Sequence, residues 1–250
     1  MNCLLSFQKL LTKKIEHLHL KKQSHKSSWE KKGVNQETLD RQLADWVKRA
    51  DQNDWIVPQA AYAVLPCVAD GDDVLIFDSA DRKNLLAKIP FTVVVGADKT
   101  DLFSAAQYFQ NTDGGFDLIG LQITTSGAHV DQFVEDFKKQ GDTESALLLQ
   151  GLSDRVAEDL AEFIHQKLRQ HMALSPKEGT RYSPGYPGLR DMQVNSTLFD
   201  CLDASKNLGI RLTDAFEFSP TGTTGAVVCF HPLAKYDWNI FPSPVGRREG

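Results

Sequence analysis

Residues 144–171, ESALLLQGLSDRVAEDLAEFIHQKLRQH, carry the longest periodic pattern in the chain. Leu147, Leu148, Leu152, Val156, Leu160, Phe163, Ile164 and Leu168 recur at intervals of three and four, the spacing that gathers side chains on one face of an α-helix. The stretch predicts a core-facing helix of about seven turns at 3.6 residues per turn. An apolar face of that length has to be covered by other elements. Residues 60–66 are apolar and 74–77 read as the second strand of a hairpin, with Asp70-Gly71-Asp72-Asp73 as the turn. That acidic turn lacks the spaced ligand pattern of a calcium loop. Residues 91–95, 118–125, 210–212 and 225–231 read as further strands. Shorter helices are expected over 37–49, where Leu39, Leu43, Trp46 and Val47 line one face, and over 102–109, 130–139 and 196–208. Strands and helices do not alternate as in a parallel sheet. The expected class is α+β: a mostly antiparallel or mixed sheet flanked by helices, with one long core helix.

Composition narrows the function classes. The 250 residues are 41% hydrophobic and 24% charged, an ordinary globular balance. A net charge of −5 argues against a broad nucleic-acid surface. No apolar run reaches the length of a membrane span, and the first eleven residues lack the pattern of a secretory signal. Cys3, Cys67, Cys201 and Cys229 are far apart and form no CxxC pair. That excludes a recognisable zinc or iron–sulfur site and suits reduced thiols in the cytoplasm. Residues 1–35 stand apart as a basic N-terminal segment, disordered or helical. Seven lysines, from Lys13 to Lys32, accompany Leu4, Leu5, Leu11, Ile15 and Leu18 at rough helical spacing. His17, His19 and His25 would fall on different helix faces, so a solvated basic helix is expected there rather than a metal site. The folded domain is placed at 36–241 and a tail at 242–250.

After the long helix comes Arg181-Tyr182-Ser183-Pro184-Gly185-Tyr186-Pro187. Two prolines fix their own φ, Gly185 is free to take φ > 0, and Tyr186 is pushed toward extended geometry by Pro187. The result is a stiff loop that holds a guanidinium and an aromatic ring in fixed places. Such a loop suits a small zwitterionic ligand, and it equally suits a surface turn whose tyrosines pack on the core.

Several landmarks appear in order. They are Asp154-Arg155-Val156-Ala157-Glu158 with Ala161-Glu162, then Arg181 with Pro184-Gly185-Tyr186-Pro187. Gly209-Ile210-Arg211-Leu212-Thr213-Asp214-Ala215-Phe216 and His231-Pro232 with Lys235-Tyr236 follow, and Leu65-Pro66 with Gly71-Asp72-Asp73-Val74 matches a family hairpin. In this combination the chain resembles the activation, or reactivation, domain of cobalamin-dependent methionine synthase over roughly 60–240. The resemblance implies a domain that binds S-adenosylmethionine and docks over the cobalamin of a neighbouring domain or corrinoid protein. With an electron from a flavodoxin-like donor, it would remethylate the inactive cob(II)alamin form. It further implies ligand contacts from Arg181, Tyr186, Gly188, Tyr236 and Glu158, with Glu178 as a substitute acid. No residue is assigned a catalytic role and none a metal. Glu162 lies one turn after Glu158 on the same face and is read as part of an exposed acidic stripe.

The chain departs from the family in four places. No Ile-Asp-Trp-Thr-Pro motif precedes Leu65, and Asp45-Trp46 is only a fragment of one. Ser175 stands six residues before Arg181, where the family has a glutamate. Leu189-Arg190 replaces Cys-Pro, and Gly188 replaces an alanine. The zinc cysteines, the folate barrel and the Asp-x-His-x-x-Gly motif of the full enzyme are absent, so the chain is expected to act as a separate subunit or C-terminal fragment that cannot make methionine alone. Two functions stand at this point: a reactivation subunit that binds S-adenosylmethionine, and a non-catalytic docking module for a corrinoid protein with a vestigial ligand site. A hydrolase has no support, since there is no nucleophile elbow.

Overall fold

Every pairing in the main sheet is antiparallel. The computed structural model describes residues 7–12, 36–95, 102–111, 113, 115–235 and 241–242. In chain order the elements are β1 (Phe7–Thr12), α1 (Gln36–Gln52), β2 (Gln59–Asp70), β3 (Asp73–Phe77), β4 (Leu85–Pro90), β5 (Val94–Val95) and β6 (Leu102–Phe103). A 3-10 turn (Ala105–Tyr108) leads to β7 (Asp117–Thr125), α2 (Val130–Lys139), α3 (Thr143–His171), β8 (Thr180–Tyr182), α4 (Val194–Cys201) and α5 (Ala204–Leu208). The chain closes with β9 (Arg211–Leu212), β10 (Phe218–Ser219), β11 (Thr223–Cys229) and β12 (Phe241–Pro242). The seven-stranded sheet has the order β4-β3-β2-β7-β11-β8, with β1 also paired to β2; β9–β10 and β12-β5-β6 form two small sheets. The expected α+β class, mostly antiparallel and with one long core helix, is the one observed.

Alternation along the strands sends side chains into two cores. Ala60, Tyr62, Val64, Val228 and Phe230 meet Leu149, Leu152, Val156, Leu160, Ile164 and Leu168 of α3. Ala61, Ala63, Ile119, Leu121, Ile123, Val227 and Cys229 meet Leu198, Leu202 and Leu208, from the α4–α5 side. With helices on both faces, the inner strands read as continuous apolar runs rather than as alternating ones.

Between β7 and α3 the contact is polar. Gln122 Nε2 donates to the Ala161 carbonyl at 3.2 Å and Thr124 Oγ1 donates to the Ala157 carbonyl at 2.9 Å. Ser126 Oγ and Ser153 Oγ share a hydrogen bond at 2.6 Å. The α3 partners fall four residues apart on one stripe of small side chains, which lets the helix close on the central strand.

Several expectations are corrected. Phe7–Thr12 is a strand paired with β2, not part of a helix; the rest of the basic segment lies outside the described residues, as does the tail beyond Pro242. Leu147 is 68% exposed while Leu149 is fully buried, so the apolar stripe of α3 starts on a different leucine. Residues 102–109 are not one helix, because Ser104 Oγ accepts from the Ala106 N–H and starts only a 3-10 turn. The helix expected over 196–208 is two, broken where Asp203 takes φ 46°. Of 91–95, only Val94–Val95 is strand; Leu85–Pro90, read as nothing, is the outer strand β4.

Candidate functional site

Strand β8 is three residues long and hangs on the margin of the sheet. Val227 pairs with Tyr182 and Val228 with Arg181. Opposed residues share a face, so Arg181 follows Val228 toward α3 while Tyr182 follows Val227 into the other core. One residue of alternation therefore points the guanidinium at the long helix.

There it meets Glu162. Arg181 Nη2 lies 3.8 Å from Glu162 Oε2, and each side chain is about four-fifths buried. Glu162 Oε1 accepts from Arg169 Nη1 at 3.3 Å and from Gln166 Nε2 at 3.3 Å. Arg169 is anchored separately, since its Nε donates to the Glu178 carbonyl at 2.8 Å. Next to these groups sits His165, buried and absent from the sequence reading, with Nδ1 4.0 Å from Glu162 Oε2 and Nε2 without a partner among the described residues. Burial first, and then the positive charges of Arg169 and Arg181, push the imidazole down to about 3 from an ordinary 6.5.

That depression makes a stability prediction. Between the two values the unfolded chain takes up a proton that the folded protein refuses, so stability complete above the ordinary value is lost as pH falls toward the folded one. One proton corresponds to about 1.4 kcal/mol per pH unit. Unfolding free energies from urea melts between pH 6 and pH 4 should fall more steeply in the native chain than in His165→Gln, by about that slope. Parallel profiles would show that His165 is not held neutral.

The other expected site residues are distributed as follows. Glu158 stands one turn before Glu162, exposed; Glu162, not Glu158, is the acid that reaches Arg181. Glu178 turns its carboxylate back on its own loop, where Oε2 accepts the Ser175 N–H at 2.7 Å, and acts on the cluster only through its carbonyl. Tyr186 is 49% exposed at the tip of the loop. The loop is held by Gly185 N–H to the Leu189 carbonyl and Leu189 N–H to the Tyr186 carbonyl, both at 2.9 Å. Gly185 takes φ 88°, as its position before Tyr186-Pro187 leads one to expect. At Gly188 a Cβ would lie 3.0 Å from Tyr182 Cδ1, so the Tyr182 ring occupies space that an alanine methyl would need. Tyr182 in turn donates to the Lys235 carbonyl at 2.9 Å. Tyr236 lies outside the described residues. His231 stacks on Tyr108 and its Nδ1 accepts the Leu233 N–H, a structural role. Asp45 is exposed, and Trp46 belongs to an aromatic cluster with Trp55 and Phe137, so this Asp-Trp pair serves packing.

The turn beside α3 is fixed as well. Asp131 Oδ2 accepts the Thr221 N–H at 3.0 Å, and the Gly222 carbonyl accepts the Ser126 N–H and Oγ. Among the described residues no group of three or more His, Cys, Asp or Glu is placed to hold a metal, and no helix is long and apolar enough to cross a membrane.

Comparison with known proteins shows a family and a fold. The model of the vitamin B12-dependent methionine synthase activation domain matches residues 17–240, nearly the whole chain. The chain belongs to this family. A crystal structure of the MetH reactivation domain bound to AdoHcy superposes with a TM-score of 0.78 at 19% identity, covering 92% of this chain and 80% of that one. At that identity the likeness is one of fold. The activation-domain match begins well before the landmark hairpin and takes in part of the basic N-terminal segment.

Proposed function

We propose that this activation domain binds S-adenosylmethionine through Arg181 and presents it to the cobalamin of a partner domain or corrinoid protein, for reductive remethylation of the inactive cofactor with an electron from a flavodoxin-like donor. The reading rests on one observation above the others. Arg181 is the guanidinium of the loop strand, mostly buried, and its polar contact among the described residues is one long approach to Glu162. A buried cation so loosely matched suits a ligand carboxylate, which a guanidinium can grip with two parallel hydrogen bonds.

The donor set fits such a ligand. Arg181 would take the carboxylate, and exposed Glu158 lies on the same helix for a cationic group. The Tyr186 face, with Tyr236 as the family resemblance implies, would favour the sulfonium by roughly 0.5–2 kcal/mol. Glu178 supports the site through Arg169 rather than by touching the ligand. S-adenosylmethionine supplies the methyl group in this chemistry; the chain's residues bind and orient it. Cys67, Cys201 and Cys229 are free thiols, in keeping with a reducing cytoplasmic setting.

Calorimetric titration tests the reading. Arg181→Ala should weaken S-adenosylmethionine at least tenfold, the equivalent of about one charge-assisted hydrogen bond. Absence of saturable heat at millimolar ligand would overturn it. The docking-module reading draws on the carboxylate of Glu178, the expected substitute acid, which is turned back on its own loop. Capture of a cobalamin-loaded partner without any ligand heat would select it.

A further inference from the structure

We infer that Arg169 is a positioning residue: by engaging Glu162 it keeps Arg181 available, so that the site selects ligands that carry a carboxylate. The inference rests on the reading of Arg181 as the ligand's anchor. Its grounds are geometric. Glu162 shares one carboxylate between two guanidinium groups, and the sharing is unequal, with Arg169 Nη1 at 3.3 Å and Arg181 Nη2 at 3.8 Å. Arg169 cannot follow Glu162 toward Arg181, because its Nε is held at 2.8 Å by the Glu178 carbonyl. That carbonyl belongs to a turn closed by the Ser175 N–H on the Glu178 side chain. Glu162 is thus drawn to the anchored arginine and away from the unanchored one.

Charge points the same way. Arg169, Arg181 and Glu162 together leave one positive charge, and neighbouring His165 is neutral. An anionic group on the ligand would complete the balance at Arg181. Without Arg169, both effects reverse together. The surplus charge disappears, and Glu162, left with only the uncharged Gln166 amide on Oε1, closes on Arg181 and competes with the ligand.

Arg169→Met, which keeps most of the apolar stem, tests this. The probes are S-adenosylhomocysteine and 5′-methylthioadenosine, which has the adenosine and sulfur but no amino-acid group. Arg169→Met should weaken S-adenosylhomocysteine about tenfold or more and change 5′-methylthioadenosine by less than about twofold, given that tenfold is the scale of one charge-assisted contact. Adding Glu162→Gln should restore most of the loss, because the competing carboxylate is gone. A merely structural role would weaken both probes alike and would not be rescued by a second substitution; either result overturns the inference. If Arg169→Met does not fold, Arg169→Lys serves instead. It keeps the charge but loses the guanidinium fork, and it should show a smaller, carboxylate-specific loss that Glu162→Gln also relieves. Should Arg181→Ala leave S-adenosylhomocysteine binding unchanged, the anchor reading itself fails and this inference falls with it. Should Arg181→Ala weaken binding while Arg169→Met does not, only the role of Arg169 is lost.

Discussion

Gly222→Ala should cost about 2–5 kcal/mol of folding stability, a large loss for one methyl group. An added Cβ would sit 1.9 Å from Ser153 Oγ and 2.4 Å from Ser126 Oγ, with Ser153 Cβ at 3.2 Å. Either the turn lifts off or both hydroxyls rotate away. Rotation breaks their mutual bond at 2.6 Å and strands two groups that no solvent reaches. Each buried polar group left without a partner costs roughly 1–3 kcal/mol. The measurement is a urea melt, where the midpoint should fall with the slope unchanged. Gly222→Ala combined with Ser153→Ala should recover part of the loss, since one of the two obstructing hydroxyls is removed. A single variant as stable as the native chain would show that the turn is not seated on the serines.

Leu149→Ala should cost about 2–5 kcal/mol, the usual range for emptying a buried leucine site, while Leu147→Ala should stay within about 0.5 kcal/mol of the native chain. The two leucines are the ends of a run of three, yet one is fully buried and the other 68% exposed. Paired denaturation curves measure the helix's rotation about its own axis. Equal costs at the two positions would mean that α3 presents a different face to the sheet.

Within 147–149 the composition is uniform, so periodicity there supports more than one register. Farther along, Leu152, Val156, Leu160, Ile164 and Leu168 recur every four residues, and the expected stripe is the observed one. The hairpin was legible for a similar reason. Gly71, at φ 63°, is the residue that a tight turn between apolar runs requires. Strand β4 was not legible, because Leu85 and Leu86 both lie exposed on the outer edge and Pro90 ends it, leaving no alternation to read. The break at Asp203 was hidden too, since nothing in Cys201-Leu202-Asp203-Ala204 announces a left-handed residue.

The candidate site divides along the same line. Arg181 could be found from its neighbours in sequence, because prolines and a glycine mark a stiff loop whatever surrounds it. Glu158 and Glu162 could not be separated, since they share a helix face and differ by one turn. What chooses between them is where β8 lies along α3, and that depends on pairing with β11, nearly fifty residues later. Arg169 and His165 share α3 with Glu162, and they meet Arg181 only through that same long-range placement.

The path of the chain through the sheet also sets an order of events during synthesis. Strands β2 and β7 can pair once residue 125 has been made, with β3 already turned back on β2. The other edge of β7 has no mate until β11 is synthesised about a hundred residues on, and among the described strands β8 pairs with β11 alone. Contacts so distant in sequence form slowly. Until they do, a nascent chain carries an open β edge and an arginine strand with nothing to hang from, a window in which a chaperone would find its substrate.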